Sequence, residues 1–178
     1  LLDPITGSNA KGRSVIGIVT IHVDDAFFCG TKEFSRVVTE SLRRDFKVGS
    51  EDLNDVLFVG QRVKWVDRNS PNKRHISVDQ ESKVEELSEI KFDSSLRDNI
   101  SCSADLHKQY RSVLGQINWL QSRTQFQSCF VFSRCASAAA KPTIGSVRRL
   151  NKLARTIQAE QVTLNFWPLN GPTRIVGY

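Results

Sequence analysis

The sequence predicts an α+β fold, on three observations. β-Branched and aromatic runs of strand character fill the first 80 residues. After Gln80 the apolar residues recur at helical spacing instead. Alternation returns after residue 158, so the chain divides into 1–80, 81–158 and 159–178.

The first strand pattern is Val15 to Val23, nearly continuous and β-branched. Asp24-Asp25 interrupts it, Ala26-Phe-Phe-Cys29 resumes it, and Gly30 ends it, which predicts a hairpin with a tight acidic turn. Thr31 is placed to cap a helix running to about Phe46, with Phe34, Val37, Val38 and Leu42 on its apolar face. Arg43, Arg44 and Lys47 crowd its C-terminal end, where the helix dipole favours cations. Val56 to Val66 reads as one strand, Asp67 to Lys73 as a turn, and Ile76 and Val78 as the returning strand of a second hairpin.

Val84, Leu87 and Ile90 predict a short helix, and Asp93 to Ala104 a polar linker. Leu106, Tyr110, Val113, Leu114, Ile117 and Leu120 form a helical stripe. Thr124 is placed to cap the next helix, which carries Phe126, Cys129, Phe130 and Ala136 and breaks at Ala138 to Pro142. Val147, Leu150, Leu153, Ala154 and Ile157 mark the last helix. Val162, Leu164 and Phe166 alternate, a turn follows at 168–172, and Arg174 begins a further strand.

The chain has 178 residues, 39% hydrophobic and 25% charged, as expected of a globular protein. No apolar run approaches a membrane span, and Leu1-Leu-Asp-Pro4 lacks the features of a secretory signal. There is no methionine, which suggests a fragment of a longer reading frame. A net charge of +6 favours an acidic partner, nucleic acid first. Cys29, Cys102, Cys129 and Cys135 have no zinc-site spacing and read as small core residues in a reducing compartment. The expected location is intracellular, a cytoplasmic particle or the nucleus, rather than secreted.

Neighbouring residues of a straight strand face opposite ways, so Asp24 and Asp25 can serve one metal only if the backbone turns between the strands. Carboxylate oxygens suit Mg²⁺, and two such ions about 4 Å apart stabilise phosphoryl transfer. The plain alternative is that Asp is a common turn residue. Arg148, Arg149, Lys152 and Arg155 share a helix face opposite the apolar one, where they either neutralise phosphates or are simply solvated. Trp65 and Trp119 fit core patterns, and His75 and His107 read as surface residues.

In order along the chain, several segments resemble the reverse transcriptase of copia-type retrotransposons. Val19-Thr-Ile-His-Val-Asp-Asp25 is similar to the family's Tyr-Val-Asp-Asp box, and Phe58-Val59-Gly60 to its Phe-Leu-Gly signature. Tyr110-Arg-Ser-Val-Leu-Gly115 matches Tyr-Arg-Ser-Leu-Val-Gly. Arg123 to Arg134 resembles the Thr-Arg-Pro-Asp…Leu-Ser-Arg helix, and Arg148 to Thr156 the Lys-Arg-x-x-Arg-Tyr-Leu segment. Ile175-Val-Gly-Tyr178 resembles the strand before the first catalytic Asp of the ribonuclease H domain.

The resemblance implies an RNA-directed DNA polymerase. Residues 1–80 would be the C-terminal half of the palm, 81–158 a helical thumb and connection region, and 159–178 a strand leading into a ribonuclease H domain. Asp24 would bind Mg²⁺ (or Mn²⁺) directly and Asp25 would support it. Phe58, Val59 and Gly60 would grip the primer, and Arg148, Arg149, Lys152 and Arg155 would contact the backbone of an RNA or DNA primer-template. In the intact enzyme a deoxynucleoside triphosphate would be the second substrate. Departures are His22 for Tyr, Gln125-Phe126 for Pro-Asp, and the absence from this sequence of the family's upstream palm Asp. His22 either packs as an aromatic substitute for Tyr or is a chance change; a metal-ligand role is the least expected, since a hard Mg²⁺ site prefers oxygen. The expectation is a partial polymerase that is inactive alone. The alternatives are a non-catalytic nucleic-acid-binding remnant or a relic without selected function.

Overall fold

A computed structural model describes residues 15–70 and 73–168. It is a mixed α+β protein with two antiparallel sheets and five α-helices among those residues. The strand placed by sequence at 174–178 lies outside the described residues.

The first sheet has two strands, β1 (Gly17–His22) and β2 (Asp25–Gly30), paired from Gly17↔Gly30 to His22↔Asp25. Helix α1 (Lys32–Asp45) follows directly, and the Thr31 hydroxyl accepts from the Phe34 amide. The facing glycines decide how α1 docks. A Cβ at Gly17 would stand 2.2 Å from the Phe34 ring and one at Gly30 2.5 Å. The bare backbone of this pair is the seat of that ring. Val37, expected on the buried face, is exposed.

The run Val56 to Val66, expected as one strand, is divided between two. β3 (Asp55–Phe58) turns back through Val59-Gly60 into β4 (Gln61–Val66), which pairs with β5 (His75–Asp79). Both turn residues have left-handed φ, 49° at Val59 and 68° at Gly60, as a two-residue hairpin of type I′ requires. Asn-Gly is the usual signal for such a turn, and a valine in the first position hid it. Strand β6 (Leu164–Phe166) pairs with β5, giving the order β3-β4-β5-β6. Residues on both sides of the helical region therefore share one sheet.

Helix α2 (Glu81–Glu85) is one turn long, shorter than the Val84-Leu87-Ile90 spacing predicts. Leu87 and Ile90 are still buried, on chain beyond the end of the helix. That chain is held by α5 (Ile144–Ala159). The Asn151 amide accepts from the Ile90 N–H at 2.9 Å and donates to the Ile90 carbonyl at 2.8 Å. Gln158 donates to the Leu87 carbonyl at 2.7 Å.

The core lies where α5 meets α3 (Ala104–Gln121) and α4 (Cys129–Ala136). All five predicted positions of α5, Val147, Leu150, Leu153, Ala154 and Ile157, are buried. So are Tyr110, Val113, Ile117 and Leu120 of α3. Tyr110 donates to the Cys135 carbonyl at 2.7 Å, and burial raises its phenol pKa.

Thr124 does not cap α4. It is fully buried and bonded to the Gln80 amide at 2.9 Å, and a 3-10 turn (Phe126–Ser128) leads into the helix. Partner geometry orients the Gln80 amide with its nitrogen donating to Thr124 Oγ1 and the Leu120 carbonyl, and its oxygen accepting from Trp119 Nε1 at 3.2 Å.

Four further expectations are corrected. Cys135 is buried and Cys102 half-buried, but Cys29 and Cys129 are exposed. Trp65 and Trp119 are 43% and 37% exposed rather than in the core. His107 is half-buried, donating from Nε2 to the Ala139 carbonyl at 2.8 Å. His75 is also half-buried, and its ring packs 4.3 Å from that of Trp167.

Replacing Asn151 by Ala would strand both polar groups of Ile90 in the core. Chemical denaturation should show a loss of about 2–4 kcal/mol, with the larger effect on protection of amides 84–90 from hydrogen exchange.

Candidate functional site

The acidic pair sits at the tip of the first hairpin. The central turn residues are Val23 and Asp24, while Asp25 opens β2 opposite His22. Both carboxylates are exposed. Val23 is 88% exposed and has a φ of 56°. A β-branched residue in the left-handed region is uncommon and costs on the order of 1–2 kcal/mol.

The same departure recurs at Val59. Among the described residues, the other two non-glycine positions with positive φ are Asn54 and Asp67, types that tolerate it. Among the described residues, the strained valines thus fall in the acidic turn expected from sequence and in the Phe58-Val59-Gly60 segment that the resemblance singles out.

These turns are linked through aromatic packing. Phe27, two residues past Asp25, lies 5.4 Å from Phe58, which leads into Val59-Gly60. Gly60 in turn lies against Trp119, where an added Cβ would be 3.3 Å from the indole nitrogen. The guanidinium of Arg123 sits 4.7 Å from the centre of that indole ring. Asp24, Asp25, Phe58, Val59 and Gly60 therefore belong to one connected region.

For a metal, the donors at the hairpin tip are hard oxygens, which suits Mg²⁺ or Mn²⁺. No group of three or more Asp, Glu, His or Cys side chains gathers among the described residues. The two carboxylates could hold an ion that keeps most of its water. They do not by themselves form a two-metal centre.

The basic face of α5 is divided. Arg148 is half-buried, pairs with Asp98, donates to the Ser94 and Leu96 carbonyls at 2.8 Å, and lies 5.5 Å from the Phe92 ring. Arg155 pairs with Glu89. Both hold the crossing chain 86–98 onto α5. Arg149 and Lys152 are exposed and have no ion-pair partner among the described residues. The sequence hides this division, because Asp98 and Glu89 lie 50 and 66 residues from their partners.

No helix among the described residues is long and apolar enough to cross a membrane. Compared with known protein families, curated proteins and solved structures, the chain matches none of them.

Two outcomes test this description. Arg148→Gln should lower stability by about 1–3 kcal/mol, whereas Arg149→Gln with Lys152→Gln should change it by less than about 0.5 kcal/mol in the same denaturation series. Val59→Gly should raise the melting temperature, since relief of the left-handed strain (about 1–2 kcal/mol) exceeds the added freedom of glycine in the unfolded chain (about 0.5–1 kcal/mol).

Proposed function

We propose that the chain is the C-terminal palm and the thumb and connection region of a copia-type reverse transcriptase, an RNA-directed DNA polymerase. The observation that carries this reading is the hairpin of β1 and β2 with Asp24 and Asp25 at its tip, joined through Phe27 and Phe58 to the Val59-Gly60 turn. Strain at Val23 and Val59 supports it, since residues kept in costly backbone conformations concentrate at functional sites.

In this reading Asp24 binds the metal directly and Asp25 supports it. Mg²⁺ (or Mn²⁺), when bound, neutralises phosphate charge. Phe58, Val59 and Gly60 position the primer end near the acidic tip. Arg149 and Lys152 remain for the nucleic-acid backbone, while Arg148 and Arg155 act through the fold. The partners are an RNA or DNA primer-template and, in the intact enzyme, a deoxynucleoside triphosphate. With two carboxylates at the tip, these residues bind metal weakly and do not extend a primer unaided.

Titration with Mn²⁺, followed by line broadening at the hairpin amides, should show weak binding that Asp24→Asn removes. Primer extension with Mg²⁺ and nucleotides should give no product. Metal binding unaffected by Asp24→Asn would overturn the assignment of the tip. Extension that Asp24→Asn abolished would overturn the stated inactivity instead.

A non-catalytic nucleic-acid-binding remnant is the second reading, favoured by Arg149 and Lys152, exposed and without an ion-pair partner among the described residues. It expects nucleic-acid affinity with no metal dependence.

A further inference from the structure

Charge is unevenly divided along this chain. Between Asp105 and Glu160 there is no acidic residue at all, while the chain's average frequency would put about six there. The same stretch, 106–159, holds nine of the 25 Lys and Arg residues. The remaining 16 face all 19 Asp and Glu, so +6 overall divides into +9 and −3. The acid-free stretch contains nearly all of α3 and the whole of α4 and α5.

The structure shows how little of this charge is consumed internally. Arg148 and Arg155 pair with Asp98 and Glu89, and the other seven cations form no ion pair among the described residues. By contrast, six of the eight described ion pairs lie before residue 87 and join that part of the chain to itself. An unneutralised helical unit repels itself unless a polyanion covers it.

Aromatic side chains are exposed within the same unit. Phe130 on α4 is 75% exposed, and Phe126, four residues earlier, is 52% exposed. Arg134 follows Phe130 by another four residues, a spacing that keeps neighbours on one side of a helix. Trp119 is exposed as well and carries Arg123 over its ring. Large aromatics beside free cations gain little from a duplex, whose bases are already stacked. They gain from unpaired bases, which present a ring face.

We infer that the α3–α4–α5 unit is a sequence-tolerant binding surface for single-stranded nucleic acid. Phosphates lie against cations such as Arg111, Arg134, Arg149 and Lys152, and bases stack on Phe126 and Phe130. The inference deepens the nucleic-acid part of the polymerase reading but rests on different residues from the acidic hairpin. It stands equally if the chain is a non-catalytic remnant.

The test is fluorescence anisotropy of the full chain with labelled oligo(dT), a duplex of equal length, and inorganic polyphosphate, all in EDTA. Oligo(dT) should bind tighter than either competitor. Phe126→Ala with Phe130→Ala should weaken oligo(dT) about tenfold or more and leave polyphosphate unchanged. The four-site change of Arg111, Arg134, Arg149 and Lys152 to Gln should reduce the slope of log affinity against log salt by about 3. Circular dichroism and melting of both variants establish that they remain folded. Equal affinity for single strand and duplex, or a phenylalanine double variant that binds like the parent, would overturn the inference. Asp24→Asn should leave every one of these curves in place. Loss of metal binding and loss of strand binding are thus separate results, and failure of one does not imply failure of the other.

Discussion

The backbone of residues 86–98 crosses α5 without a helix or a sheet of its own, and much of the structure depends on how its polar groups are satisfied. A buried amide or carbonyl left without a partner costs more than a typical side-chain contact returns. Asn151 meets both groups of Ile90, Gln158 meets the Leu87 carbonyl, and Arg148 meets those of Ser94 and Leu96. All three side chains stand on α5, so one helix supplies both the apolar core and the substitute hydrogen bonds. Leu87 and Ile90 are thereby buried on irregular chain. With helical spacing but no helix, they also explain why sequence periodicity overextends α2.

Sequence made the long elements legible because one face decides each of them. The stripes of α3 and α5 were fully readable, and the Thr31 cap placed the start of α1. What it missed depends on distant partners or on rare conformations. Thr124 looks like a helix cap until Gln80, 44 residues away, is seen to take its hydroxyl. Val59-Gly60 looks like mid-strand because valine rarely enters the left-handed region. Trp65 and Trp119 obey core spacing yet remain exposed. The exclusion of acids from 106–159, in contrast, is plain in the sequence. A net charge averages it away.

The candidate site shows the same division. The pairing of the two aspartates with a hairpin could be read directly from their apolar flanks. Their connection to the Val59-Gly60 turn could not, because it runs through Phe27 and Phe58 from separate sheets. The equivalence of the four α5 cations also dissolves in three dimensions. A salt bridge that fixes a crossing chain and a cation that faces solvent are the same letter in the sequence.

The return of β6 to β5 has a consequence for how this protein reaches its structure. Ile76 pairs with Phe166, so the fourth strand is joined 90 residues after the third. Closing a free loop of that length costs about 4 kcal/mol beyond a constant, and three residues of ladder cannot offset it. The helices between them must assemble first and bring the ends together. Until then β5 keeps an open edge, and on a ribosome that interval lasts through synthesis of the whole helical unit. The short length of β6 thus makes it a late indicator of completed helical packing, with the edge of β5 as the place where an incomplete molecule would aggregate.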